Sequence, residues 1–132
     1  MLKLSDFKGK KIALYFYVKD DTPGCAKQSC NLRDNFNILK EKGIVVLGIS
    51  KNDVGSHKKF KEKFGLNFPI LSDIGTKVSK KYGVYGEKNF MGKIFMGVKR
   101  TTFLIDENGR IVKVIDKVDV INHAAQILEG FS

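Results

Sequence analysis

The chain has 132 residues, 42% of them hydrophobic, and a formal net charge of +10 from 24 Lys plus Arg against 14 Asp plus Glu. At this length one domain spanning residues 1–132 is expected, with a core large enough to need neither a metal nor a disulfide framework. The cysteines are Cys25 and Cys30 alone, so a cysteine-stapled secreted fold is not expected. No run reaches the roughly 18 to 20 apolar residues of a membrane span, and the start, MLKLSDFKGK, lacks the apolar stretch and cleavage site of a signal peptide. The expectation is therefore a cytoplasmic protein without a membrane partner. The positive charge is nearly all lysine, the arginines being Arg33, Arg100 and Arg110. Specific nucleic-acid interfaces favour the guanidinium fork, so scattered lysine reads as solvated surface and no nucleic-acid partner is expected.

Residues 11–17 (KIALYFY) form an almost continuous apolar run, the pattern of a strand buried on both faces. A polar loop follows at Lys19-Asp20-Asp21. Thr22-Pro23 then opens a helix, with Thr22 as N-cap and Pro23 at the first helical position, where its missing N–H costs nothing. Leu32, Phe36 and Leu39 recur at helical spacing, and the helix is predicted to run to Lys42 and stop at Gly43. A second buried strand is predicted over 44–50 (IVVLGIS), which completes a right-handed βαβ unit with parallel strands.

An amphipathic helix is predicted near Gly55 to Phe64, with Phe60 and Phe64 on one face and lysines on the rest. His57 reads as a surface residue of that helix, because no Asp, Cys or second His stands at ligand spacing. Pro69-Ile70-Leu71 precedes a short helix around Thr76 to Tyr82, and the segment from Gly83 to Gly97 shows the least regular pattern. Residues 101–106 (TTFLID) and 110–115 (RIVKVI) read as a hairpin around Asn108-Gly109. A closing helix is predicted over Val120 to Leu128, with a stripe of Ile121, Ala124, Ala125 and Leu128 and with His123 lacking an evident partner. This order is the thioredoxin-like α/β plan, a central mixed β-sheet flanked by helices; fold alone does not settle function.

The chemistry concentrates at Cys25. With Thr22 as N-cap, Cys25 is the third helical residue, where a capping box would place an acidic or amide side chain. The helix N-terminus acts as a partial positive charge, so this position favours the thiolate, the nucleophilic form of cysteine. Cys30 lies further along the same helix. At 3.6 residues per turn the two side chains stand roughly 140° apart around the axis and about 7.5 Å apart along it. That is beyond disulfide reach, so no bond forms while the helix is intact, and Cys30 is expected otherwise as an ordinary buried thiol. The pair falls short of four metal ligands, so no metal site is expected.

The run Leu4-Ser5-Asp6-Phe7-Lys8-Gly9-Lys10, then Tyr15-Phe16-Tyr17, Asp21-Thr22-Pro23-Gly24-Cys25 and Cys30 with Arg33-Asp34, resembles the peroxiredoxins, specifically the peroxiredoxin Q or bacterioferritin-comigratory-protein class. Gly48-Ile49-Ser50, Ser56-His57-Lys58-Lys59-Phe60, residues 68–73 (FPILSD), Tyr82-Gly83-Val84 and residues 100–106 (RTTFLID) continue the match in order. The resemblance implies a thiol-dependent peroxidase acting on hydrogen peroxide and organic hydroperoxides. It makes Cys25 the peroxidatic and Cys30 the resolving cysteine of an intramolecular disulfide. It also makes Thr22 the hydroxyl that hydrogen-bonds the thiolate and the peroxide, Arg100 the guanidinium that polarises the O–O bond, Gly24 a further part of the substrate site, and Gln28 a support for Arg100. It implies no cofactor, a thioredoxin or similar dithiol reductant, and a monomer. The chain departs from the family at Val18, which stands where the motif has proline and bears on substrate access and over-oxidation, and the resemblance begins after the family's N-terminal β-hairpin. Two other readings compete. A thioredoxin-type disulfide reductase would want Cys-x-x-Cys and a proline before the TTFLID strand, where Arg100-Thr101 stands; a non-enzymatic basic binding module would show steeply salt-dependent affinity.

Overall fold

A computed structural model describes Phe7 and residues 9–131. Its elements are β1 (Lys11–Phe16), α1 (Pro23–Asp34), α2 (Phe36–Glu41), β2 (Ile44–Ser50), α3 (Val54–Phe64), β3 (Ile70–Ser72), α4 (Lys77–Lys81), β4 (Tyr85–Phe90), β5 (Lys93–Val98), β6 (Thr101–Ile105), β7 (Ile111–Ile115) and α5 (His123–Phe131). A five-stranded sheet has the order β3-β2-β1-β6-β7. β1 is parallel to β2 and antiparallel to β6, so the sheet is mixed. This is the α/β plan expected from the sequence.

β1 lies at the centre and alternates its side chains between two apolar clusters, as a period of two requires. Ala13, Tyr15 and Tyr17 join Cys25, Leu32, Leu39, Phe60, Leu104 and Ile127 on one side. Ile12, Leu14 and Phe16 join Leu47, Ile49, Val84, Val98 and Phe103 on the other. Tyr15 stands opposite Gly48 in the parallel register. A Cβ at Gly48 would lie 2.9 Å from the Tyr15 ring, so only glycine lets that ring cross β2 toward α1.

Three expectations are corrected. The helix predicted from Thr22 to Lys42 breaks at Asn35, which has φ −106° and ψ 14°. There the Asn35 side-chain amide donates to the Asn31 carbonyl at 2.8 Å in addition to the backbone N–H at 3.2 Å, the local competition that makes Asn a helix interrupter. The segment read as irregular is a two-stranded hairpin, β4 against β5, paired from Tyr85↔Val98 to Phe90↔Lys93. Its two-residue turn places Met91 at φ 52° and Gly92 at φ 80°, the doubly left-handed backbone of a type I′ turn without the Asn-Gly that usually announces it. Finally, α5 starts at His123 and buries Ala124 and Ile127, while Ile121 is 61% exposed and Ala125 also faces solvent.

Candidate active site

The polypeptide leaves β1 at Phe16 and turns through residues 17–22 before α1 begins. Asp21 reverses the chain at φ 59°, a left-handed conformation that aspartate tolerates better than most side chains. Thr22 is the N-cap residue with extended backbone, and Pro23 takes the first helical position. The Thr22 carbonyl accepts the first helical bond, from Ala26 N at 2.8 Å. Its hydroxyl makes no cap bond and donates instead to the Lys19 carbonyl at 3.0 Å. Its one proton is thus committed, and its lone pairs remain to accept.

Cys25 is completely buried one turn into α1. Arg100 reaches it from the short link between β5 and β6, donating from Nη2 to Cys25 Sγ at 3.2 Å and from Nη1 to Gln28 Oε1 at 2.6 Å. Cys25 and Gln28 are three residues apart and share one helix face, so the planar fork spans both at once. Lysine, with a single point charge, could not make this pair of directed bonds. Gln28 is fully buried and its Nε2 has no hydrogen-bond partner among the described residues. A Cβ on Gly24 would stand 3.2 Å from Arg100 Nη2, so the absence of a side chain there lets the guanidinium lie against the start of the helix.

The hairpin that the sequence did not disclose contributes to this site. β5 runs directly into Arg100, and Lys88 on β4 donates from Nζ to the Val98 carbonyl at 3.0 Å. Desolvation, and next the Arg100 charge, push the Lys88 ammonium below its ordinary value, while Cys25 pulls it back. Lys88 therefore belongs to the same electrostatic field. Nothing short of the strand pairing links position 88 to position 25.

Behind the helix, Tyr15 and Ser29 join their hydroxyls at 3.0 Å, fastening β1 to α1. Burial drives the phenols of Tyr15 and Tyr17 well above their ordinary range, so both stay protonated. Cys30 is half-buried rather than buried as expected, because the core face of α1 is taken by Cys25, Gln28, Ser29 and Leu32. Both cysteines are free thiols on one intact helix.

His57 overturns its surface reading, and His123 has the partners the sequence did not show. His57 is 3% exposed and bonds Asp20 Oδ2 through Nδ1 at 2.7 Å and the Leu71 carbonyl through Nε2 at 3.0 Å. His123 is fully buried, with Nε2 2.7 Å from Thr102 Oγ1 and Nδ1 2.8 Å from Gln126 Oε1. Desolvation lowers the His123 value; a neutral ring that donates to Gln126 and accepts from Thr102 fits both contacts. Each partner comes from a separate element, except Gln126 one turn along α5, so spacing in the sequence could not reveal them. Among the described residues no group of three or more His, Cys, Asp or Glu side chains could hold a metal ion, and no helix is long and apolar enough to cross a membrane.

The sequence and the fold have close counterparts. The AhpC/TSA family model matches residues 1–114, and the chain belongs to that family. A Coxiella burnetii protein carrying the peroxiredoxin bcp name is 52% identical over 128 residues, covering 97% of this chain and 85% of its own length. Peroxiredoxin Bcp of Escherichia coli is 46% identical over 127 residues, covering 96% of this chain and 81% of its own. Among solved structures, the Xanthomonas campestris bacterioferritin comigratory protein, studied for its alkyl peroxide reduction activity, superposes with a TM-score of 0.92 at 33% identity, covering 98% of this chain and 82% of that one. Within the family the branch is the Bcp or peroxiredoxin Q class, and the chain is a peroxiredoxin, a thiol peroxidase.

Proposed function

We propose that residues 1–132 act as one peroxidase domain in which Cys25 is the peroxidatic and Cys30 the resolving cysteine, reducing hydrogen peroxide and organic hydroperoxides. The observation that carries this reading is the Arg100 fork, which holds the Cys25 sulfur and the Gln28 amide together. Arg100 Nη2 stands 3.2 Å from the attacking sulfur, and the thiolate is the form of cysteine that attacks. The thiolate attacks one peroxide oxygen; a new S–O bond forms, the O–O bond breaks, and the departing oxygen leaves as water or an alcohol after taking up a proton. Sulfur is oxidised to sulfenic acid by the two electrons that the peroxide gains. As negative charge moves onto the departing oxygen, Arg100 is a donor already in place. The lone pairs of Thr22 can accept from the proton-bearing peroxide oxygen and so orient it, and the missing side chain at Gly24 lets the Arg100 guanidinium lie against the start of the helix.

Cys30 sulfur then displaces hydroxide from the sulfenic acid, water leaves, and a Cys25–Cys30 disulfide results. The intact α1 holds the two thiols apart, so its first turns unwind for this step. Thioredoxin or a similar dithiol reduces the disulfide and restores both thiols. This cycle requires no metal and no organic cofactor, and we assign it to a cytoplasmic monomer whose lysine excess is solvated surface rather than a nucleic-acid footprint. Peroxide consumption coupled to thioredoxin and its reductase tests the reading: Cys25→Ser is expected to abolish turnover, and full turnover by that variant would overturn it.

A further inference from the structure

Asp20 lies in the turn between β1 and α1, two residues before Thr22, and is saturated with donors. Its Oδ2 accepts from His57 Nδ1 and Ser56 Oγ, each at 2.7 Å, and its Oδ1 accepts from the Tyr17 hydroxyl at 2.5 Å. Its backbone N–H donates to Asn52 Oδ1 at 3.0 Å. The turn is thereby tied at one residue to α3, to the end of β1 and to the loop after β2. Its neighbours depend on that tie: Lys19 supplies the carbonyl that holds the Thr22 hydroxyl, and Asp21 carries the left-handed backbone that redirects the chain into α1.

The protonation state of His57 follows from its contacts. Nδ1 faces a carboxylate and Nε2 faces a backbone carbonyl. Neither oxygen can donate, so both ring nitrogens must carry protons and the ring is an imidazolium. The side chains of the pair are each only 4% exposed. Removing either charge therefore strands the other without water, which is far more disruptive than breaking a surface pair. The other titratable group facing the ring is Tyr17, the residue after β1, whose phenol stays protonated; β3 presents only the Leu71 carbonyl, and Ser56 on α3 presents a hydroxyl.

We propose that the buried His57 imidazolium and the Asp20 carboxylate position the turn that carries Thr22 and opens the helix of Cys25, and that peroxide attack is fast only while this pair is charged. His57 touches neither Cys25 nor Arg100, so its action is one of positioning. The inference rests on the reading of Cys25 as the attacking thiol. No spacing rule connects His57 to residue 20; the contact exists because α3 packs beneath the turn.

The test is the second-order rate constant for oxidation of Cys25 by hydrogen peroxide, measured by stopped-flow tyrosine fluorescence across pH, in the native chain and in His57→Gln, Asp20→Asn and Ser56→Ala. The chain has four tyrosines and no tryptophan, which makes that signal the natural one. The two replacements within the pair are expected to slow attack about tenfold or more, as misplacement of a reacting group does. The two variants within the pair are expected to differ from the native chain in the shape of the pH–rate profile as well as in its height. Ser56→Ala, which keeps both charges and removes one donor to Asp20, is expected to show a smaller loss of rate and to decide the matter if the others do not fold. Variants that melt at lower temperature yet keep the native attack rate and pH profile would overturn the proposal. Peroxide reduction by Cys25→Ser at the native rate would instead overturn the reading of the site, whatever the pair does.

Discussion

The two cysteines occupy one helix and meet opposite environments. Cys25 is sealed against β1 with a guanidinium on its sulfur, whereas Cys30 lies half-buried on a face that the core does not use. The difference shows how an α-helix separates functions by angle: the residue at the site is preorganised for attack, while the residue beyond it can meet the first only if the helix opens. The second half of α1 is tied elsewhere. Asn31 Oδ1 accepts the Ala124 N–H of α5 at 2.8 Å, and Arg33 Nη1 donates to the Phe64 carbonyl at the end of α3. Opening is therefore expected in the turns before Asn31, with the rest of α1 held.

The largest effect that would sharpen this contrast comes from exchanging the two thiols for hydroxyls. Cys25→Ser is expected to remove all peroxide consumption. Cys30→Ser should consume one equivalent and then stall as sulfenic acid, detectable by mass after trapping with a dimedone-type reagent. Equal behaviour of the two variants would break the comparison. Arg100→Ala comes next: losing a fixed donor at the reacting atoms is expected to slow attack about 100-fold or more, with Arg100→Lys recovering only part of it. Gln28→Ala removes only the brace, and a loss of about tenfold, the size of one hydrogen bond to a charged group, is expected in the same stopped-flow assay.

A smaller effect separates the two histidines. Burial alone would raise the Asp20 carboxyl, but the hydrogen bonds from His57, Tyr17 and Ser56, with the charge of His57, outweigh it and leave it below its ordinary value. A folded value below the unfolded one contributes stability that is present above the ordinary carboxylate range, about pH 4, and lost as pH falls through the folded value. His123 is likewise lowered, by desolvation first. Its neutral ring contributes stability present above about pH 6.5 and lost as pH falls below that. Thermal melts followed by circular dichroism should therefore show two acid losses, the earlier abolished in His123→Gln and the later weakened in Asp20→Asn. A melting temperature independent of pH between 7 and 3 in the native chain would contradict both assignments.

Much of this site was legible in the residues themselves. The Thr22-Pro23 helix start and the position of Cys25 in the first turn follow from local rules that need no partner. The wide angle to Cys30 follows from helix geometry alone. The buried strands at 11–16 and 44–50 could be read as continuous apolar runs because both their faces are covered. The resemblance added Arg100 and Gln28, residues that no spacing rule would have joined to Cys25.

What remained hidden consists of contacts between distant segments. The β4–β5 hairpin carries a turn of Met91-Gly92 that sequence rules rank poorly, so the hairpin that presents Lys88 and leads to Arg100 was missed. His57 looked like a surface residue and His123 like one without a partner because Asp20, Leu71 and Thr102 come from other parts of the chain. Local sequence alone therefore determined which residue is placed to be a nucleophile, since helix caps and helical spacing act over a few residues. Only the tertiary structure decided what surrounds it, because burial, the Arg100 fork and the charged pair beneath the turn arise when elements far apart in the chain are packed against one sheet.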